Sequence, residues 1–308
     1  MLIRLHMIFR NSIDQLKMDR IKFLQSLSLI PLAGAAMNLK HLHQITDPLE
    51  ASEKMPILFL GHGSPMNAIQ ETEFSKGWRA IGQSIPRPNA ILCISAHWET
   101  KGTYVTAMEK PKTIHDFGGF PQELFDVQYP APGSPSLAMD TKNTITTTTV
   151  GLDQQWGLDH GCWSVVKHLY PKADVPVIQL SLDYTKNPRF HFELAKELST
   201  LRKKGVLIIG SGNMVHNLGI LDWQNQHSGF DWAIEANTTM KNLITNGDFT
   251  PLINYTSQGK AFQLSIPTPE HFLPLLYTLG LKDEKEPLSF FNDKTIMGSI
   301  SMTSFRVG

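Results

Sequence analysis

The stretch that decides the fold is PILFLGHGSP, residues 56–65. Its first half, Ile57 to Leu60, is a continuous apolar run, which is typical of a strand buried on both faces. Glycines on either side of His62 allow a sharp turn and leave the imidazole open at the carboxyl end of the strand. Ligands bind at this edge of open α/β sheets. We therefore predict that His62 is the first ligand of a metal site and that later strands bring the others.

The composition narrows the class of protein. The chain has 308 residues, with 28 Lys and Arg against 28 Asp and Glu, so its formal net charge is zero. A neutral chain lacks the basic footprint of a nucleic-acid binder and of polybasic membrane attachment. With 41% hydrophobic and 18% charged residues, it has the make-up of a soluble globular protein. We expect no nucleic-acid partner and no stable membrane association.

Residues 1–53 differ from the rest and are predicted to be an N-terminal extension. A basic start after Met18 leads into an apolar stretch at 27–37 that ends in small residues. This is the pattern of a signal peptide, with translation beginning at Met18. The alternative is an amphipathic helix followed by a linker. The apolar stretch is too short to span a bilayer, and both a cytoplasmic and a periplasmic location stay open.

Strands and helices alternate from about residue 54 to residue 308, without a repeat or an internal linker. This alternation predicts a single α/β domain with a central mixed, largely parallel sheet flanked by helices and a metal site at the strand carboxyl ends. The predicted strands are 57–60, 90–95, 104–108, 146–150, 175–182, 206–209 and 299–307. The predicted helices are 73–85, 134–144, 163–170, 188–203, 230–244 and 272–279.

Histidines recur at the ends of these strands. His62, His97 and His216 each follow a buried strand in a turn of small or polar residues, and His271 precedes a helix. Neutral imidazole is a common ligand of zinc and iron. A lone histidine in such a position is usually a hydrogen-bonding loop residue, but its repetition at one sheet edge favours a metal site.

Two ligand sets are compatible with this pattern. His62, His97 and Glu270 would make the facial triad of two histidines and a carboxylate that suits Fe(II). With His271 as the third ligand, the site would favour Zn(II) in the resting protein. Adjacent residues rarely reach the same ion, so Glu270 and His271 are expected to have different roles.

The two cysteines offer another chemistry. Cys162 follows His160 closely, so a Cys–His nucleophile pair is an alternative. Cys93 lies inside an apolar run and is predicted to be a small buried residue.

Seven segments, in order from Pro56 to the C-terminus, resemble the signatures of the class III extradiol ring-cleavage dioxygenases, the LigB-like superfamily, and most of all its 4,5-DOPA dioxygenase branch. These segments are GHGSP, SAHW, HDFGGFP, YPAPG, LDHGCW, GSGNMVHN and TPEHFLPLLY. The resemblance implies that residues 54–308 are the catalytic domain. It also implies an oxidoreductase that inserts both atoms of O₂ into the ring of a small catechol such as L-DOPA, with 4,5-cleavage to a semialdehyde.

The resemblance also implies a ligand set. His62, His97 and His271 match metal positions of the family, and His216 matches a histidine beside the metal, either a further ligand or the acid–base residue. Fe(II) would be needed for turnover, because zinc is not redox-active. Zn(II) is the alternative ion in the resting or purified protein.

On the substrate side, His160 and His115 match family histidines that line the site. His216 would act as the base, and His160 or His115 would stabilise charge by donating a hydrogen bond. Glu270 would orient a ligand imidazole. Trp98 and Trp163 are expected to be structural. Aromatic residues of the loop 113–133 would form walls for a flat ring, with core packing as the alternative for each: Phe117, Phe120 and Tyr129.

Two other functions stay open at this point. A zinc-dependent hydrolase could use the same ligands with His216 as its base. A non-catalytic, metal-holding binding protein would need no acid–base residue. Because the chain keeps all the histidines that ring cleavage would require, the dioxygenase is the leading prediction.

Overall fold

The computed structural model describes residues 53–308. The signal-like segment predicted near residues 18–37 lies outside these residues. Within residues 53–308, no helix is both long enough and apolar enough to cross a membrane.

The strands of the described chain follow the predicted alternation. They are β1 Ile57–Gly61, β2 Ala90–Thr100, β3 Thr103–Thr106, β4 Val150–Asp153, β5 Val177–Asp183, β6 Val206–Gly212, β7 Leu288–Phe291, β8 Thr295–Ile296, β9 Ile300–Ser301 and β10 Ser304–Val307. The helices are α1 Glu73–Ser84, α2 Gln122–Phe125, α3 Pro135–Thr144, α4 His160–Leu169, α5 Pro188–Glu197, α6 Ser199–Arg202, α7 Asp231–Asn246, α8 Thr250–Ile253, α9 Lys260–Ser265 and α10 Leu273–Gly280. Short 3-10 turns cover Pro65–Ala68, Leu218–Ile220 and Tyr255–Ser257.

The central sheet of the described chain has eight strands in the order β4-β3-β5-β2-β6-β1-β10-β7. Its four middle strands, β5, β2, β6 and β1, are parallel. Antiparallel pairs flank them, β3 on β5 at one side and β10 on β1 at the other. The mixed, largely parallel sheet is thus confirmed, and the carboxyl ends of its middle strands share one edge.

Helices cover both faces of this sheet, which explains the continuous apolar runs. In β1, Ile57 and Phe59 belong to the core that also contains apolar residues of α5 and α10, whereas Leu58 and Leu60 belong to the core of α1 and α4. All residues of β1 and β6 are buried. A strand with two buried faces needs apolar side chains at successive positions.

Some predicted boundaries were wrong. β2 continues five residues beyond Ser95, to Thr100. The strand predicted at 146–150 forms later in the chain, as β4 at Val150–Asp153. The segment 299–307 is two strands, because β9 pairs with β8 in a separate two-stranded sheet before β10 joins β1. The helix predicted at 188–203 is divided into α5 and α6, and α4 begins three residues earlier than predicted, at His160.

The carboxyl end of β6 makes a close backbone contact that sets the position of His271. A Cβ atom on Gly212 would lie 2.2 Å from the His271 carbonyl oxygen. The next residue, Asn213, donates its backbone N–H to the same oxygen over 2.8 Å. Only glycine allows this approach, so the segment before α10 is held against the end of β6.

We predict that Gly212→Ala lowers the free energy of unfolding by about 1–3 kcal/mol, because the methyl group must displace a backbone carbonyl. Chemical denaturation of the metal-free protein measures this change. Gly118→Ala is the matched control, since a Cβ atom there meets no atom within 4 Å. The control should change stability by less than about 0.5 kcal/mol, and equal effects of the two substitutions would contradict the steric explanation.

Candidate metal centre and active site

Three histidines from separate parts of the chain converge at the shared strand edge. His62 directly follows β1, His97 lies within β2, and His271 stands two residues before α10. One potential ligand atom from each of the three lies within 4.8 Å of those of the other two. The Nε2 atoms of His62 and His97 are 3.2 Å apart. These three residues are one of the two ligand sets that the sequence left open, and the set that the family resemblance implied; the fold brings them together.

A β-bulge in β2 lies at His97 and turns its side chain toward His62 and His271. Pairing between β2 and β5 joins Ile94 to Leu180 and then Glu99 to Leu182, so β2 carries extra residues between the two pairs. His97 lies among these extra residues, inside the strand rather than after its end. Bulges re-aim side chains in this way and are frequent beside active sites.

The hydrogen bonds of His62 determine which ring nitrogen carries its proton. Ser211 Oγ donates to the Gly161 carbonyl oxygen over 2.5 Å. That bond uses the only hydroxyl proton, so Ser211 Oγ accepts the proton of His62 Nδ1, which lies 3.1 Å away. His62 Nε2 is therefore left with a free lone pair on the side of His97.

For His97 and His271, a carboxylate oxygen faces the Nδ1 atom, as Ser211 Oγ does for His62. His97 Nδ1 lies 3.3 Å from Asp116 Oδ2, and His271 Nδ1 lies 3.1 Å from Glu270 Oε1. A carboxylate accepts protons, so each Nδ1 is the protonated nitrogen and each Nε2 is available as a ligand. Glu270 thus contacts a candidate ligand imidazole from outside, as the sequence suggested.

The donor set fits a bound cation. Two Nε2 lone pairs 3.2 Å apart repel each other unless a positive charge lies between or beside them. Burial, followed by the neighbouring imidazoles, holds the pKa of His62 and of His271 well below the ordinary histidine value. The rings are consequently neutral at neutral pH, the form in which imidazole binds zinc or iron.

Two more predicted histidines border this group. The His216 ring stacks on the His271 ring, with centroids 3.5 Å apart and an interplanar angle of 7°. His160 is the first residue of α4, and its ring centroid lies 3.9 Å from that of His97. Its Nδ1 atom is 3.0 Å from Asp116 Oδ1. Both rings lie close enough to act on a molecule bound at the three-histidine group.

His115 is placed elsewhere. Its Nε2 atom lies 2.9 Å from the Val127 carbonyl oxygen, to which it donates, and its ring packs against Trp163 and Phe125. Among the described residues that line the cavity beside the cluster, His115 is absent. The Phe117 ring packs against both His115 and His160, with centroids 5.8 Å and 5.4 Å away.

A cavity of about 970 Å³ opens beside the histidines. Phe117 and Phe120 line it as predicted, and their rings contact each other edge to face at 5.5 Å. For Tyr129 the alternative of core packing holds, because it is not among the described residues that line the cavity. Tyr129 packs in the core, where its hydroxyl donates to the Tyr170 carbonyl oxygen over 2.8 Å.

The tryptophans predicted to be structural are buried and have partners. Trp98 stacks on Trp156, with ring centroids 5.8 Å apart. Trp163 Nε1 donates to the Ile114 carbonyl oxygen over 2.8 Å. This bond ties the loop that carries Phe117 to helix α4.

The alternative of a Cys–His nucleophile pair does not fit the structure. Cys162 is fully buried, and burial, followed by its contact with Cys93, raises the pKa of the thiol well above its ordinary value. A nucleophilic cysteine requires the thiolate and access to substrate. Cys93 is buried, as predicted.

Sequence reasoning missed two residues of the site, Asp116 and Ser211. Asp116 stands next to His115 in HDFGGFP, and Ser211 is the penultimate residue of β6, in GSGNMVHN. Both lie inside segments that the sequence already singled out for their histidines. A polar side chain at the carboxyl end of a buried strand was the available signal for Ser211.

Comparison with known proteins agrees with this geometry. Residues 55–304 match the family described as the catalytic LigB subunit of aromatic ring-opening dioxygenase. A 4,5-DOPA dioxygenase extradiol of Escherichia coli K12 is 47% identical over 268 residues, which cover 86% of this chain and 98% of the relative. A protein of the same name from Beta vulgaris is 35% identical over 256 residues, covering 80% and 94%.

A solved structure shares the fold. The crystal structure of an uncharacterized protein from Escherichia coli K12 superposes with a TM-score of 0.73 at 43% sequence identity, covering 82% of this chain and all of the other. The family match spans most of the chain and includes every histidine of the site. This chain therefore belongs to the class III extradiol dioxygenases, the metal-dependent aromatic ring-opening oxidoreductases that incorporate two oxygen atoms.

Proposed function

We propose that residues 54–308 form a catalytic domain that binds Fe(II) through His62, His97 and His271 and cleaves a catechol with O₂. L-DOPA, opened at its 4,5 bond to a semialdehyde, is the substrate that we propose to test first, because several relatives are named for it. The observation that carries the proposal is the arrangement of three neutral imidazoles, each with a hydroxyl or carboxylate oxygen within 3.3 Å of its Nδ1 atom. Membership of the family favours the dioxygenase over the zinc hydrolase and the metal-holding binding protein.

The choice of metal follows from chemistry as well as from ligands. Bound Fe(II) would supply the redox step that joins a catechol to O₂, which Zn(II) cannot supply. Three neutral imidazoles also suit Zn(II), so the resting or purified protein can hold zinc. Three protein ligands leave room on the ion for both oxygens of a catechol.

His216 is the base that we propose for the catechol proton. Burial is the main reason that its pKa lies at about 4, so the ring is neutral at neutral pH and can accept a proton. A negatively charged catecholate beside the ring would raise this pKa and make His216 a stronger base. The stack on His271 holds the ring next to the proposed metal position.

His160 is the proposed partner of the substrate oxygens. Asp116 faces its Nδ1 atom, which leaves Nε2 to exchange a hydrogen bond or a proton with the bound molecule. Phe117 and Phe120 would hold the flat ring between aromatic surfaces. Because His115 donates to the Val127 carbonyl oxygen, we assign it no direct contact with substrate, and a catalytic role for it stays a prediction.

Metal-free protein loaded with Fe(II) under anaerobic conditions, then mixed with L-DOPA and air-saturated buffer, should produce the yellow semialdehyde. Its absorbance gives the rate. His62→Ala should lower that rate by at least about 100-fold, because the metal loses one of three ligands. Zn(II)-loaded wild type is the control and should be inactive. If the Fe(II) protein forms no ring-opened product from any catechol tested, the proposed function is wrong.

The third ligand can be identified by metal binding alone. We expect His271→Ala to abolish tight Zn(II) binding in calorimetry. Glu270→Gln keeps the shape of the side chain but removes its charge, and should weaken binding by about 10-fold, as loss of an outer partner does. If Glu270→Gln removes binding and His271→Ala keeps it, the carboxylate is the ligand instead.

The neutral, buried imidazoles also predict how stability depends on pH. Burial is the main cause that lowers the pKa of His97 to about 3 and of His216 to about 4, from an ordinary 6.5. Below pH 6.5 the unfolded chain takes up protons that the folded chain excludes, so stability falls as pH falls toward 4. Each ring contributes up to about 2 kcal/mol of this loss between pH 6.5 and 5.

Thermal unfolding of metal-free protein in a chelator at pH 7.5, 6.5 and 5 measures the effect. The midpoint should be lowest at pH 5. His216→Gln removes one of the titrating rings, and its midpoint should fall less over the same range. A wild-type midpoint that is equal at pH 6.5 and pH 5 would show that the rings are not held neutral.

A further inference from the structure

Asp116 stands between two rings with different proposed roles. Its Oδ2 atom lies 3.3 Å from His97 Nδ1, and its Oδ1 atom lies 3.0 Å from His160 Nδ1. Oδ1 also accepts the backbone N–H of His160 over 2.9 Å. The side chain is 18% exposed. One carboxylate therefore contacts both a proposed metal ligand and the proposed partner of the substrate oxygens.

The loop around Asp116 is fixed to the rest of the fold on either side of it. Ile114 donates its backbone N–H to the Leu158 carbonyl oxygen over 2.7 Å and accepts from Trp163 Nε1 over 2.8 Å. On the other side, the Phe117 ring lies 5.4 Å from the His160 ring and lines the cavity. The carboxylate and the aromatic wall are thus parts of one anchored segment.

We propose that Asp116 is a positioning residue that sets the orientation of His97 and His160 together. Its two oxygens lie within ion-pair distance of both Nδ1 atoms, so rotation of either ring would carry its Nδ1 atom away from the negative charge. The Nε2 atom of His97 then stays directed at His62, and the Nε2 atom of His160 stays available to the bound molecule. The inference rests on the proposed metal centre.

Asp116 contacts two of the site histidines, whereas Ser211 and Glu270 are each proposed to orient one. Ser211 contacts the ring of His62, and Glu270 contacts the ring of His271. Loss of either should mainly weaken metal binding. Loss of Asp116 should weaken metal binding through His97 and also slow turnover of the metal-loaded enzyme through His160.

The test compares Asp116→Asn with wild type in two measurements. Calorimetry with Zn(II) on metal-free protein should show a dissociation constant raised by about 10- to 100-fold. With saturating Fe(II) and L-DOPA, kcat should fall by more than about 10-fold while KM changes by less than about 3-fold, because His160 acts on the reacting oxygens. Asp116→Glu keeps the charge and should recover part of both losses.

Asp126→Asn is the matched control. Asp126 lies ten residues further along the same loop region, where its carboxylate accepts from the exposed Gln122 side chain over 2.9 Å. Both its Zn(II) affinity and its kcat should stay within twofold of wild type. The proposal is overturned if Asp116→Asn has the same Zn(II) dissociation constant and the same kcat as wild type.

If Asp116→Asn does not fold, a measurement on wild type tests whether Asp116 orients His97 and His160. Long-range ¹H–¹⁵N NMR of the metal-free protein at pH 7.5 reports which ring nitrogen is protonated. His97 and His160 should both carry the proton on Nδ1, and an Nε2–H form of either ring would overturn the proposal. If wild type binds no Zn(II), the proposed metal centre is wrong. The NMR result would still test whether Asp116 orients the two rings, because it is measured without metal.

Discussion

The structure of the site depends on one electrostatic constraint, the approach of two imidazole lone pairs to 3.2 Å between His62 Nε2 and His97 Nε2. His62 Nδ1 is hydrogen-bonded to Ser211 Oγ, and His97 Nδ1 lies 3.3 Å from the Asp116 carboxylate. Both contacts favour the tautomer that leaves a lone pair on Nε2. A divalent cation held by His62 and His97 would remove this repulsion. The orientation of the His62 and His97 rings is held by the sheet edge, by the bulge in β2 and by the contacts of their Nδ1 atoms.

The loop that follows β3 joins the proposed metal centre to the cavity beside it. Within a few residues it provides the carboxylate of Asp116, which contacts two site histidines, and the ring of Phe117, which lines the cavity. Helix α4 contributes His160 at its first turn and holds the loop through Trp163. Metal binding and the shape of the substrate pocket are therefore linked through shared packing rather than built separately.

The success of sequence reasoning varied with the range of the interactions involved. The histidines after β1 and β6 were found because apolar runs of adjacent buried strands predict a parallel sheet, and such a sheet gathers its strand ends. His97 was identified, but its bulge was not, since a bulge depends on pairing with β5. His115, which was predicted to lie on the substrate side, donates to the Val127 carbonyl oxygen, and Tyr129 packs in the core, which was the alternative for it, with its hydroxyl bound to the Tyr170 carbonyl oxygen.

The sequence by itself determined the class of fold, the family and the residue types available to a metal, because these depend on local apolar patterns and on short motifs. Tertiary structure decided what each side chain does. His271 and Glu270 are neighbours in sequence, yet the His271 ring packs among the other site imidazoles while the Glu270 carboxylate lies 3.1 Å from its Nδ1 atom. The backbone contact at Gly212 helps to position the segment before α10 that carries both residues. It involves residues about sixty positions apart, beyond the reach of any local pattern.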